Sequence, residues 1–179
     1  MNVLVTGGSA SGKSVFAERL TCRLSPRRTY LATMSSEGRE ARERIARHRA
    51  QRANQDFMTI ECLGTLCVSS LQASEGGGVV LLDDVGNLVA NALFAPDGSM
   101  ADADEVLKRL ESEVCALADR FDHVVVVGNE VGAEGRSGAD GTETWARLMG
   151  SLCCRIAAWS DLVVEVVAGC PVVVKGELP

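Results

Sequence analysis

Residues 7–14 read GGSASGKS, with Gly7, Gly12, Lys13 and Ser14 in the spacing G-x-x-x-x-G-K-S. That combination suits a triphosphate. Across Gly7, Gly8, Ser9, Ala10, Ser11 and Gly12, a glycine-rich backbone can curl its N–H groups around phosphate oxygens. Lys13 can reach the β- and γ-phosphates, the Ser14 hydroxyl can ligate Mg²⁺, and the helix that follows aims its positive end at the anion. A glycine-rich turn that binds nothing is the plain alternative. An apolar strand before the motif and the amphipathic residues Phe16, Leu20 and Leu24 after it favour phosphate binding.

Further along, Val79-Val80-Leu81-Leu82-Asp83 is an apolar run ending in a carboxylate. At the end of a buried strand, Asp83 can hold Mg²⁺ through water, opposite Ser14. Asp84 competes for that role, and the other use of an Asp here is to cap the next helix. Asp83 for metal and Asp84 for the cap is a consistent division. His48 stands in R-I-A-R-H-R-A-Q-R, with Arg44 and Arg52 four residues to either side on the same helical face. Nearby cations disfavour imidazolium, so His48 is expected to be neutral and nucleophilic near pH 7. The guanidiniums can grip phosphate oxygens in pairs. Attack on a nucleotide α-phosphate, giving a phosphoramidate, fits that setting, and a surface histidine on a basic helix fits it equally. Asn129-Glu130 follows another apolar run, where α/β sheets bind ligands. Glu130 is read as acting on substrate or metal, or as an ordinary loop carboxylate.

These residues need an α/β scaffold to meet. Strands are expected at Val3–Thr6, Thr29–Thr33, Phe57–Glu61 (an edge), Val79–Leu82, Val124–Val127, Leu162–Val167 and Val172–Val174. Helices are expected at Lys13–Leu24, over residues 37–54, around Leu63, Leu66, Cys67 and Leu71, around Leu88–Leu93, over Ala103–Arg120, and from Trp145 to Trp159. The helix over residues 37–54 has only Ile45 as a large apolar residue, so it is solvated or lines a site. Residues 132–141 read as a glycine-rich loop, and the last two strands as a hairpin joined at residues 168–171. Alternating strands and helices predict a mostly parallel sheet, in one domain spanning residues 1–179.

The chain has 179 residues and net charge −6, which does not point to nucleic acid as a partner. The opening MNVLVTGG reads as a strand entering a phosphate loop rather than a secretion signal, and no apolar run approaches the ~20 residues of a membrane span. Seven cysteines with no C-x-x-C pair are expected to be buried free thiols of a cytoplasmic protein.

Several separated motifs resemble the bifunctional adenosylcobinamide kinase/adenosylcobinamide-phosphate guanylyltransferases of cobalamin biosynthesis. They are L-V-T-G-G-S-A-S-G-K-S at 4–14, Y-L-A-T at 30–33, R-I-x-x-H-x-x-x-R at 44–52, L-L-D at 81–83, N-E-V-G at 129–132 and D-L-V-V-E-V-V-A-G-C-P at 161–171. The resemblance implies a P-loop NTPase-type three-layer α/β fold and a trimer. It also implies two reactions. GTP or ATP phosphorylates the corrinoid's aminopropanol hydroxyl, and GMP from GTP then passes through a histidine, His48 by position, to the corrinoid phosphate. Lys13, Asp83 and His48 are then the catalytic candidates. The phosphate loop, Arg44, Arg52, Glu61, Asn129 and Glu130 are the nucleotide-binding ones, and Ser14 and Asp83 the Mg²⁺ ligands. The chain differs from the usual pattern at Ala10, at Asp84, across Gly135–Gly141 and at Cys153-Cys154. Two other readings are a small-molecule kinase in which His48 only binds phosphate, and a non-catalytic GTP-binding relative.

Overall fold

The computed structural model describes residues 1–35, 39, 43, 45–46, 50, 55–66, 68, 71, 77–130 and 140–179. Among the described residues there are seven strands, β1 (Asn2–Thr6), β2 (Arg28–Ala32), β3 (Phe57–Glu61), β4 (Val79–Asp83), β5 (His123–Val127), β6 (Leu162–Val167) and β7 (Cys170–Lys175). They form one sheet in the order β3-β2-β4-β5-β1-β6-β7. All neighbours are parallel except the β6–β7 hairpin. The α-helices with described bounds are α1 (Lys13–Leu24), α2 (Val85–Leu93), α3 (Ala103–Leu117) and α4 (Asp140–Trp159).

The central strands β1, β4 and β5 are covered on both faces, so they are apolar along most of their length, and the residues of the sheet divide by parity. Val3, Val5, Tyr30, Val79, Leu81, Val125, Val127, Leu162, Val164 and Val166 pack with Ala17 and Leu20 of α1. Their alternates Leu4, Leu31, Val80, Leu82, Val124, Val126 and Val163 pack with α2, α3 and α4 on the other face. The result is a three-layer α/β fold with β3 at an edge, as the alternating pattern implies.

Four expectations are corrected. The leucines at 63–71 do not mark a helix among the described residues. Leu63 and Gly64 bend, Gly64 has φ +78, and Val68 sits in a single 3₁₀ turn closed by Leu71 N–H to Val68 O at 3.2 Å. A Cβ on Gly64 would stand 2.8 Å from Asn91 O, and Leu66 and Leu71 are buried in the apolar cluster that packs α2 and α3 on the sheet. The helix expected to reach Arg120 ends at Leu117, and a turn follows it. Cys170 and Pro171 belong to β7, leaving a tighter connection of Ala168-Gly169, both at positive φ. Finally, of the cysteines described, Cys62 and Cys153 are buried, whereas Cys115, Cys154 and Cys170 are exposed. The loop read at 132–141 lies outside the described residues up to 139. In the polar segment over residues 37–54, the described Arg39, Glu43, Ile45, Ala46 and Ala50 are helical.

Candidate functional site

The loop between β1 and α1 is closely built. A Cβ on Gly7 would stand 2.5 Å from Val166 O, so the backbone there can approach β6 only as glycine. Ser11 N–H donates to Gly8 O at 3.3 Å, and Glu130 N–H donates to Gly7 O at 3.2 Å. Helix α1 starts at Gly12 with no side-chain cap and no acidic residue in its first turn. Its positive end is therefore left for an anion in the loop. Lys13 is buried, and its Nζ donates to Gly8 O at 3.0 Å, which holds the ammonium over the loop.

Strand parity brings Asp83 to the same place. Val79, Leu81 and Asp83 share the α1 face of β4, and Ser14 Oγ donates to Asp83 Oδ1 at 3.2 Å. Tyr30 OH donates to Asp83 Oδ2 at 2.8 Å, in buried surroundings. A hydrogen bond to a charged group of this kind contributes about 1.5–3 kcal/mol. Phe57 meets the Tyr30 ring edge-on, with centroids 6.0 Å apart, and fixes its direction. A hydroxyl and a carboxylate side by side are the hard oxygen donors that Mg²⁺ takes, so the residues fit that ion. No role for Tyr30 follows from the sequence beyond its place in Y-L-A-T. The available signal is its parity, facing the same side as Asp83.

Asp84 lies beyond the strand and does something else. Its side chain caps α2, accepting from Asn87 N–H at 2.8 Å and from Asn87 Nδ2 at 3.0 Å. Its backbone is held by Thr33, whose Oγ1 accepts from Asp84 N–H and donates to Asp84 O, both at 2.8 Å.

The end of β5 lies between these two groups, since β5 separates β4 from β1. Glu130 meets the phosphate loop through its backbone, and its side chain is exposed. Asn129 turns toward α2: its Nδ2 lies 2.5 Å from where a Cβ on Gly86 would stand. Behind it, burial pushes the Cys153 thiol up to about 12, with the neighbouring Cys154 adding to the shift and a hydrogen bond from the Asn129 backbone opposing it. Glu61 ends the edge strand, in register with Ala32, which is itself in register with Asp83. Two strand spacings, roughly 10 Å, separate the backbones at Glu61 and Asp83. His48, Arg44 and Arg52 lie outside the described residues.

The described geometry brings together an ammonium, a helix N-terminus and a hydroxyl–carboxylate pair, groups that suit a polyphosphate and its metal. Comparison with known proteins bears on the family. Residues 3–174 match the family model described as cobinamide kinase / cobinamide phosphate guanyltransferase. The bifunctional adenosylcobalamin biosynthesis protein CobP of Pseudomonas aeruginosa is 29% identical over 177 residues, covering 99% of each chain. The bifunctional adenosylcobalamin biosynthesis protein CobU of Salmonella typhimurium is 32% identical over 190 residues, covering 98% of this chain and 100% of that one. Among solved structures, an isolated ATPase domain superposes with a TM-score of 0.51 at 11% identity, covering 92% of this chain and 68% of that one. That likeness bears on the fold alone.

Proposed function

The chain belongs to the cobinamide kinase / cobinamide phosphate guanyltransferase family, and on that premise we propose which of its residues serve each reaction. The enzyme transfers a phosphoryl group from a nucleoside triphosphate to a corrinoid and then a guanylyl group from GTP to the phosphate so made. For the first step, the backbone of Gly7–Gly12 and the Lys13 ammonium hold the triphosphate. Ser14 and Asp83 hold Mg²⁺, which when bound neutralises phosphate charge. Tyr30 orients Asp83. The observation that carries this assignment is the Ser14–Asp83 contact at the mouth of the phosphate loop.

For the second step, His48 is the nucleophile. Its neutral imidazole nitrogen forms a bond to the α-phosphorus of GTP as the bridging P–O bond breaks, and pyrophosphate leaves. An oxygen of the corrinoid phosphate then attacks that phosphorus, the P–N bond breaks, and the imidazole is restored. Arg44 and Arg52 grip the phosphate oxygens in transit. The spacing R-I-x-x-H-x-x-x-R supports this reading. A homotrimer of one-domain subunits in the cytoplasm is the assembly and compartment it implies. Among the described residues no helix is long and apolar enough to cross a membrane.

Mass spectrometry after incubation with GTP and Mg²⁺ tests the second step. The expected result is one guanylyl group on the peptide carrying His48, labile in acid and stable in alkali, and none in His48→Ala. An unlabelled wild-type protein that still phosphorylates cobinamide would overturn the covalent step and leave the kinase.

A further inference from the structure

Residues 19–28 read RLTCRLSPRR, four arginines and no acidic residue, in a chain of net charge −6. Three of these arginines surround one open depression of about 500 Å³, lined by Arg19, Cys22, Arg23, Arg28 and Gln55. Glu18 and Asp56, the acidic neighbours in sequence, do not line it. Its place is the far end of α1. Arg23 stands roughly 15 Å beyond Lys13 along the helix. Arg28 opens β2, whose other end, Ala32, is in register with Asp83. The depression and the phosphate loop therefore lie at opposite ends of the parallel strands.

The charge gathered there is not neutralised within the chain. Arg28 spends its N–H groups on main-chain oxygens: Nε donates to Ser25 O at 2.8 Å, Nη1 to Gln55 O at 2.7 Å and Nη2 to Cys22 O at 3.3 Å. These bonds fix one wall and take up carbonyls at the C-terminal end of α1. Cys22 Sγ donates to Gln55 Oε1 at 3.6 Å, which ties the helix to the segment before β3. Arg23 Nη2 donates to Pro179 O. Among the described residues no side-chain carboxylate pairs with Arg19, Arg23 or Arg28. The negative end of α1 offsets about half an elementary charge, against three guanidiniums. Guanidinium groups bind phosphate and carboxylate through paired N–H groups. Arg19 and Arg23, four residues apart on one helix face, suit neighbouring anionic groups of a single ligand. The volume falls in the range of small-molecule sites, about 300–1,000 Å³.

We propose that this depression is a second anion site, separate from the phosphate loop, for a small molecule carrying two or more phosphate or carboxylate groups. It uses residues that neither reaction above employs. Inorganic tripolyphosphate and citrate are the probes, and calorimetry on Lys13→Ala sets aside the phosphate loop. That protein is expected to bind at least one probe, and the tighter of the two identifies the oxyanion. Adding Arg19→Gln and Arg23→Gln is expected to weaken this binding about tenfold or more. Unchanged affinity after the added substitutions, or no binding of either probe to Lys13→Ala, would refute the site. With Lys13 intact, Arg19→Gln/Arg23→Gln is expected to keep the wild-type KM for the nucleoside triphosphate in the kinase reaction. A raised KM would give these arginines to the catalytic nucleotide and refute a separate site. Should the double variant fail to fold in a thermal melt, Arg19→Gln alone carries the same test at about threefold, and its absence there is equally decisive.

Discussion

Asp83 and Asp84 are adjacent, chemically identical and almost equally buried, at 8% and 7% exposure, yet they serve opposite faces of the sheet. Asp83 is the last residue of β4 on the face shared with α1, and there it meets Ser14 and Tyr30. Asp84 has left the strand for the face shared with α2, and it caps that helix. The difference follows from the strand's period of two and from where the strand ends. A one-residue slip of β4 would exchange the two tasks, because it would move every side chain to the other face. The register of β4 between β2 and β5 therefore determines which carboxylate can meet a metal.

The largest effect is expected from removing the Lys13 ammonium. Lys13→Ala is expected to weaken triphosphate binding roughly 100-fold, as for truncation of a desolvated charge partner. Its melting temperature should stay near that of the wild type, since Lys13 belongs to neither apolar cluster. Calorimetry and a thermal melt check both halves.

Next comes the exchange between the neighbouring aspartates. Asp83→Asn is expected to raise the Mg²⁺ needed for half-maximal kinase activity about tenfold, as loss of one charged ligand would. Asp84→Asn should change it little, because Asn also caps helices. The reverse outcome in a Mg²⁺ titration would show that the two assignments are swapped. Asp84→Ala, by contrast, should destabilise the fold by about 1 kcal/mol through the lost cap, read from denaturant unfolding, without moving the Mg²⁺ requirement.

Tyr30→Phe sharpens the comparison from the Asp83 side. It removes one hydrogen bond to the carboxylate and leaves the ring packing on Phe57. The expected loss is about 1.5–3 kcal/mol if the oxygen goes unpaired, part of it recovered when Mg²⁺ is added. A loss of the same size with and without Mg²⁺ would mean that the tyrosine serves only the core.

The smallest effect belongs to Cys153, behind Asn129. Its thiol is pushed from 9.0 to about 12 by burial, so the folded protein keeps this proton where the unfolded chain gives it up. Stability contributed by the neutral thiol is thus complete below pH 9 and declines as pH rises toward 12. Cys153→Ala is expected to flatten that alkaline decline in pH-dependent unfolding. At about pH 8, alkylation followed by peptide mass spectrometry should find exposed Cys154 and Cys170 modified and Cys153 protected.

Much of this protein was legible along the chain. The phosphate loop is a contiguous motif whose spacing carries its own chemistry. The central strands β1, β4 and β5 show as apolar runs because both their faces are covered. The capping role of Asp84 is local, needing only the residues up to Asn87. What required the fold was every relation between distant segments. Tyr30 reaching Asp83, the Gly169 N–H donating to Ser11 O, and Glu61 standing two strands away from the metal-suited pair all depend on strand order and register. Those are decided by which apolar faces pack together, a property of the whole sheet. The misread helix at 63–71 has the same origin. Leu66 and Leu71 are buried as the pattern implied, but the approach of Asn91 at Gly64, a tertiary contact invisible to periodicity, holds the backbone in a bend. Composition and spacing determined which chemical groups this chain owns; the tertiary structure decided which of them meet, because only the packed sheet sets the distances across which ammonium, hydroxyl and carboxylate can act together.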